Sequence, residues 1–278
     1  MKEETIYAKY GRVFRQLRIQ KRLTLESFEK AGVSKGTLSK FEHGKSMLGF
    51  EKLLLALNNL SVSLEEYERC LNNFQRDAQE QLIWDVRKAL VSEKEEAMAI
   101  CYEEAMLLGE KHFALAIKSC RKKLKFSEVD DLADYFESLV IWRRCDLFTL
   151  YLVLEYFELS EILHQVEAFL LSNNLFAEAL SYSNFFFFIG YKGISIMIYE
   201  GKKEISKHLF NLIDSYPLQH DMYTRNLRNL TSGYWELHFG DKVRGAEKVK
   251  EALRRFSELG EPELAEYYKR LYHIRSCI

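Results

Sequence analysis

Apolar positions in the first seventy residues recur three and four apart and never alternate for long. Ile6, Tyr10, Val13, Phe14 and Leu17 predict a first helix ending near Lys21. Thr24 precedes "LESFEKA" and is placed to cap a second helix, with Glu26 and Ser27 in its first turn. Gly32 ends that helix after two turns. Ser34 caps a third, which runs to about His43 and stops at Gly44. Phe50, Leu53, Leu54 and Leu57 mark a fourth, and Leu64, Tyr67 and Leu71 a fifth that follows Ser63.

Two short helices joined by the tight turn "AGVS" and flanked by supporting helices read as a helix-turn-helix. Val33 fills the turn, while Leu38 and Phe41 anchor the second helix inward. Lys35, Gly36, Thr37, Ser39 and Lys40 then face out near its N-terminus, the end that enters a major groove. Lysines there read guanine edges, and hydroxyls meet phosphates or bases. Ser34 and the first amides of that helix suit a phosphate, and Lys45 lies just beyond it as a further DNA contact. Arg12 and Arg15 sit on the first helix away from its apolar face and suit phosphates, although each alone also reads as a solvated surface charge.

Beyond this head, "FQRDAQEQLIWDVRKALV" predicts one long helix over 74–91. Amphipathic segments follow at 93–108, 111–124, 128–143, 146–157, 160–171, 175–189, 191–200, 202–214, 221–239, 242–258 and 261–275. Their joints are placed at Gly109, Ser127, "SNN" at 172–174, Gly190, Gly201, Pro217, Gly240 and Gly260. Helix pairs in series predict an α-solenoid. The clearest unit, "YWELHFGDKVRGAEKVKEALRRFSELGEPELAEYY", resembles a tetratricopeptide repeat. The fold class is therefore all-α: a five-helix head over 1–73, a linker helix over 74–91, and a degenerate repeat body over 92–278 that also dimerises.

Composition supports this. Only two of the 278 residues are proline, and 47% are hydrophobic, enough for a real core. The net charge of −1 is unevenly spread: Met1–Lys45 holds eleven Lys/Arg against five Glu, and the remainder is correspondingly acidic. A basic head on an acidic body suits two different partners. Five cysteines, Cys70, Cys101, Cys120, Cys145 and Cys277, form no CxxC pair and read as reduced core thiols. The start has no apolar signal core, and "FFFFIG" at 185–190 is too short to span a bilayer, so a cytoplasmic protein without a membrane partner is expected.

The stretch "GRVFRQLRIQKRLTLESFEKAGVSKGTLSKFEHGKS" resembles the XRE/Cro-like helix-turn-helix family over about residues 8–70. That resemblance implies a structural ion pair between Arg18 and Glu42. Two positions depart from the family pattern: Phe28 stands where a small residue or leucine is usual, and Gly36 removes a side chain from the reading face. The head and helical body together, with "LSVSLEEYERCLNNF" and "LGEPELAEYYKRLYHI", resemble the Rgg/GadR/MutR regulators, grouped with the peptide-pheromone receptors called RRNPP. The resemblance implies a homodimer on a palindromic operator and a short hydrophobic peptide bound inside the solenoid. Dimerisation also follows physically, because one such head reads too few base pairs for a specific site.

A linear peptide needs amides for its backbone, an arginine for its carboxylate and apolar pockets for its side chains. Polar residues that interrupt apolar helices are the candidates: Arg143 and Arg144 in "IWRRCDLF", Asn184 in "YSNFFFF", and Tyr223, Asn226 and Asn229 in "DMYTRNLRNL". Each also fits a helix cap or a solvated face, and "FFFF" itself reads first as core. No HxxxH, GxGxxG or full GxxxxGKS/T pattern is present, and "GVSKG" at 32–36 matches GxSxG only inside the helix-turn-helix, with no strand before it, so neither catalysis, a metal nor a cofactor is expected. The sequence thus reads as a peptide-responsive DNA-binding transcriptional regulator of the quorum-sensing type, with RNA polymerase as a further partner. Ligand binding would act through the 74–91 helix. The alternative is a constitutive DNA-binding adaptor whose solenoid holds a protein partner.

Overall fold

Tyr10, Val13, Phe14 and Leu17 give α1 (Ile6–Gln20) one apolar face, and the rest of the N-terminal unit gathers on it. The computed structural model describes residues 6–164, 180–215, 221–260 and 262–274, and its contacts fall into two units, Met1–Glu80 and Gln81–Ile278. In the first unit α1 is followed by a 3-10 helix (Glu26–Ala31), α2 (Lys35–Glu42), α3 (Phe50–Leu60) and α4 (Leu64–Leu71). Phe14 is fully buried and meets Phe28 and Phe41 edge-on, at centroid distances of 5.8 and 5.7 Å. The unusual Phe28 is thus accommodated as a third ring on that centre. Gly11 sits where α1 crosses the end of α2; a Cβ there would lie 1.8 Å from the Phe41 carbonyl oxygen. The Tyr67 hydroxyl donates to the Tyr10 carbonyl at 2.8 Å and ties α4 to α1. A reciprocal cap, Ser63 with Glu66, starts α4.

Two expectations for the head change. The second helix is a 3-10 helix, and Thr24 does not cap it. Leu25 occupies the N-cap without a side-chain bond, and the Thr24 carbonyl accepts from Ser27 Oγ at 2.7 Å. Six residues between this turn and the left-handed Gly32 (φ 84°) leave little room for an α-helical ladder. Nor does the long helix begin at Phe74: Asn73 and Phe74 both take positive φ, of 51° and 59°, which breaks the chain direction. Helix α5 (Ala78–Val91) starts after Asp77, whose carboxylate accepts the Glu80 amide at 2.7 Å.

The second unit continues α5 into α6 (Glu95–Leu107), α7 (Lys111–Ser119), α8 (Phe126–Ser138) and α9 (Arg144–Val153), the last followed by a 3-10 turn (Leu154–Tyr156). Then come α10 (Leu180–Tyr199), α11 (Lys203–Ser215), α12 (Met222–Phe239), α13 (Lys242–Leu259) and α14 (Pro262–Leu271). Among the described residues there is no strand, and no helix is long and apolar enough to cross a membrane. Helices pair with their neighbours in sequence, as α6–α7, α10–α11 and α12–α13, and the pairs stack through α7–α9, α9–α10 and α10–α12. This is the packing of a solenoid, in which each repeat buries its apolar face against the next.

The best tetratricopeptide-like stretch forms the α12–α13 hairpin. Asp241 caps α13 by accepting the Val243 and Arg244 amides at 2.9 and 3.1 Å. Gly190 proves not to be a joint. Helix α10 runs straight through it, and a Cβ there would sit 2.4 Å from Ile213 Cδ1 on α11. Glycine marks a close helix crossing at this position rather than a turn. The expected joints at 172–174 and Pro217, and the helix end at 171, lie outside the described residues. Helix α8 stops at Ser138 and leaves Val140 and Ile141 exposed in a loop, so Arg143 is not helical. Cys101 and Cys145 are buried as expected of core thiols, but Cys70 is half-buried and Cys120 is exposed at the end of α7; Cys277 lies outside the described residues.

Candidate functional site

Ser34 begins α2 in an extended conformation, and its Oγ accepts the Thr37 amide at 3.3 Å. Leu38, Phe41 and Glu42 turn inward and are buried. Lys35, Gly36 and Lys40 remain exposed, Thr37 and Ser39 are half-buried, and Lys45 is exposed just past the helix. The structure therefore brings the sequence candidates of α2 onto one face. A Cβ at Gly36 would meet nothing within 4 Å. Packing does not require this glycine, which leaves bare backbone on the outer face.

Arg18 clamps this helix from behind. Its Nε and Nη2 donate to the two Glu42 carboxylate oxygens at 2.5 and 2.7 Å, and its Nη1 donates to the Leu23 carbonyl at 2.7 Å. The Glu42 hydrogen bonds raise the Arg18 pKa against the opposing effect of burial. Glu42 is thus turned away from the outer face. Arg12 and Arg15 are exposed on α1. Two features of this face were not legible beforehand. Lys35 is ion-paired with Glu26 of the 3-10 helix, and the Lys35 amide lies 3.5 Å from Glu29 Oε1. Ser34 and the first amide of α2 are therefore engaged within the head.

In the second unit, aromatic residues from successive helices meet one another. Phe148 and Tyr151 of α9 contact Phe185 and Phe188 of α10, at centroid distances of 5.9 and 6.4 Å. Phe188 contacts Tyr223 of α12 at 5.5 Å, and Tyr223 contacts Phe256 of α13 at 5.3 Å. The Tyr223 hydroxyl is 2.7 Å from that of Tyr268 on α14, and Tyr151 and Tyr267 share a hydroxyl–hydroxyl bond. Lys192 supports Tyr151 from behind, donating to the Tyr151 and Leu152 carbonyls at 2.8 and 3.3 Å while burial lowers its pKa. The "FFFF" run divides between two roles: Phe186 and Phe187 are core, whereas Phe185 and Phe188 are half-buried on the aromatic row.

Arg87 of α5 completes this row and was missed in the sequence. Its guanidinium carbon lies 5.4 Å from the ring centres of both Phe188 and Tyr223. Burial lowers its pKa, and the oxygens of Tyr223, Tyr268 and Tyr151 outweigh that effect, so the group stays charged. Among the described residues no carboxylate pairs with it. Sequence signals did exist: Arg87 interrupts the apolar stripe of Leu82, Ile83, Val86 and Leu90. Periodicity alone presents this helix as a linker.

The other candidates separate. Asn226 is buried and donates Nδ2 to the Ala252 carbonyl at 2.9 Å, which leaves its Oδ1 buried without a partner among the described residues. Asn184 and Asn229 are half-buried on α10 and α12, and Arg144 is half-buried at the first position of α9. Arg143 does not join the aromatic row. It donates to both Glu110 oxygens at 2.8 and 3.1 Å and to both Asp146 oxygens at 2.8 and 3.1 Å, bracing the start of α9 against the α6–α7 turn. Those bonds raise its pKa and occupy the donors a ligand carboxylate would need. Arg228, also adjacent to the candidates, pairs with Asp214 at 2.8 and 2.5 Å.

Comparison with known proteins agrees with both units. A family described as helix-turn-helix matches residues 14–67. The family described as HTH-type transcriptional regulator Rgg, C-terminal domain, matches residues 87–270. Among curated proteins none matches this chain. Similar solved structures include the SHP pheromone receptor Rgg2 of Streptococcus dysgalactiae, at 21% identity and TM-score 0.75, covering 95% of this chain and 98% of that one. A protein described as a transcriptional regulator of Listeria monocytogenes EGD-e matches at 15% identity and TM-score 0.78, over 96% and 97% of the two chains. A PrgX/cCF10 complex matches at 12% identity and TM-score 0.66, over 95% and 92%. At such identities the structures establish the shared fold. With a helix-turn-helix head and a matched Rgg domain that spans most of its length, the chain belongs to the Rgg family of HTH-type transcriptional regulators.

Proposed function

We propose that this regulator reads operator DNA with the outer face of α2 and responds to a short apolar signalling peptide held on the aromatic row of its second unit, as in quorum sensing. On this reading Lys35, Thr37, Ser39 and Lys40 meet base edges. Arg12, Arg15, Ser34 and Lys45 meet the phosphate backbone, Ser34 alongside its capping bond. The protein works in the cytoplasm as a homodimer on two half-sites, with RNA polymerase as a further partner.

One observation carries the peptide half. Arg87 holds a charge among the rings of Phe188 and Tyr223 with no carboxylate beside it among the described residues. Arg87 is half-buried, a charge drawn partly out of water is ordinarily paired, and a free peptide C-terminus supplies the missing anion. The unpaired Asn226 Oδ1 suits a peptide amide, and Asn184, Asn229, Arg144 and Tyr223 complete the candidate contacts. Likeness of fold to proteins described as pheromone receptors supports the same reading.

The test is thermal unfolding of the full chain with a pool of short apolar peptides, bearing either free or amidated C-termini. The free pool raises the melting temperature, and the amidated pool does so far less. Equal effects, or none, remove the carboxylate argument. On the DNA side, Lys40→Ala weakens binding to a selected operator by about 1–3 kcal/mol and relaxes sequence preference, while Arg15→Ala weakens all duplexes alike. Fluorescence anisotropy against selected and random duplexes measures both. Parent-like affinity in Lys40→Ala would remove α2 as the reading element.

A further inference from the structure

Lysine is a poor reader of sequence when left to itself. Its flexible stem lets the ammonium settle on any phosphate, a contact that carries no base information. Lys35, the first residue of α2, is not left to itself. Its Nζ is ion-paired with Glu26, nine residues earlier on the 3-10 helix, so the pair spans the two halves of the helix-turn-helix. The pair is not a core contact, since the two side chains are 56% and 53% exposed. It therefore stands on the solvent side of the head, at the start of α2 and next in the chain to the bare backbone of Gly36. The Thr24 hydroxyl and Glu26's own amide also bond the carboxylate, and with Lys35 they hold its pKa down to about 2. The site thus keeps an ionised carboxylate on a surface that meets a polyanion.

We propose that Glu26 is a specificity-determining residue that positions Lys35, and that the two side chains together read one G·C base pair in the major groove. This rests on the DNA-reading proposal above. The chemistry fits the base-pair edge: lysine donates to the guanine O6 and N7 acceptors, and a carboxylate accepts from the cytosine N4 amino group. An ammonium has three donors, so Lys35 keeps its bond to Glu26 while donating to guanine. Against phosphate alone the pair is poorly matched. Glu26 repels the backbone and holds back the one cation at that point, which lowers affinity for random DNA. Both effects widen the gap between the correct site and the rest.

The experiment is enrichment of binding sequences from a randomised duplex pool by the full-length parent, Glu26→Gln, Lys35→Met and the double variant. Affinities for the parent's enriched duplex and for a random duplex follow. The parent enriches G·C at one position of each half-site. Glu26→Gln loses that preference and keeps the others. Its affinity for random duplex rises about threefold to tenfold, with a salt dependence steeper by about one phosphate contact. In the Lys35→Met background Glu26→Gln changes the preference less than it does in the parent, because the two side chains act as a pair. Retention of the preference in Glu26→Gln, or an unchanged random-duplex affinity, overturns the proposal. A parent that enriches no sequence at all overturns the DNA-reading proposal itself. Glu26 is half exposed, and an unchanged melting temperature in Glu26→Gln confirms that the change lies at the interface.

Discussion

Arg18→Met lowers the stability of the first unit by about 3 kcal/mol, the loss typical of a buried ion pair deprived of one partner. The Glu42 side chain is 1% exposed, and its two oxygens accept from Arg18 alone among the bonds that define the head. Methionine fills much of the arginine's volume but leaves that carboxylate buried without a counter-charge, and the Leu23 carbonyl loses a donor as well. Most of the loss returns when both partners are made apolar together, as Arg18→Met with Glu42→Met, because the desolvation cost of the pair then disappears along with its attraction. Urea unfolding of the full chain measures both variants, and the signals separate the units. Trp84, Trp142 and Trp235 all lie in the second unit, so tryptophan fluorescence reports that unit while far-ultraviolet circular dichroism reports both. A single variant that costs less than about 1 kcal/mol would place Glu42 in contact with water and remove the clamp from the account of α2.

The same clamp shows what kind of information a sequence holds. Leu38 and Phe41 were legible as inward residues because their spacing reports a local property, the face of one helix. Arg18 with Glu42 was legible only through family resemblance, since the partners lie 24 residues apart. The all-α body and its α12–α13 hairpin followed from periodicity and the Gly-Asp turn. Gly190 was misread because a glycine signals either a turn or a close crossing. The choice between them rests on Ile213, which belongs to another helix. Arg143 was misread for a related reason: its partner Glu110 lies 33 residues away, and no local pattern reveals that its donors are occupied. The Thr24 cap failed at shorter range, where the left-handed Gly32 leaves six residues too tightly bounded for an α-helix. Arg87 breaks the apolar stripe of α5 visibly, but the rings that give the break a meaning come from α10 and α12. In each case the residue type was informative, and the missing term was a partner supplied by the fold.

Arg87→Met is expected to cost at least about 2 kcal/mol in binding of a peptide with a free C-terminus, roughly a thirtyfold loss. The same change leaves the melting temperature of the unliganded protein unchanged or raises it. These two outcomes belong together. A guanidinium whose described partners are rings and tyrosine hydroxyls carries a desolvation cost that no carboxylate offsets, so an apolar residue of similar length relieves it. Natural proteins tolerate such local cost where a ligand completes the site. Arg87→Lys discriminates further. An ammonium keeps the charge but loses the planar fork that grips a carboxylate with two bonds, so it restores only part of the binding. Isothermal titration with a peptide drawn from the free pool, beside thermal unfolding without it, gives both quantities for each variant. Loss of stability in Arg87→Met with binding retained would make this arginine a structural brace between α5, α10 and α12. Loss of binding with stability retained is the behaviour of a residue held in place for a ligand's charge, and it makes the aromatic row a receptor site rather than a core.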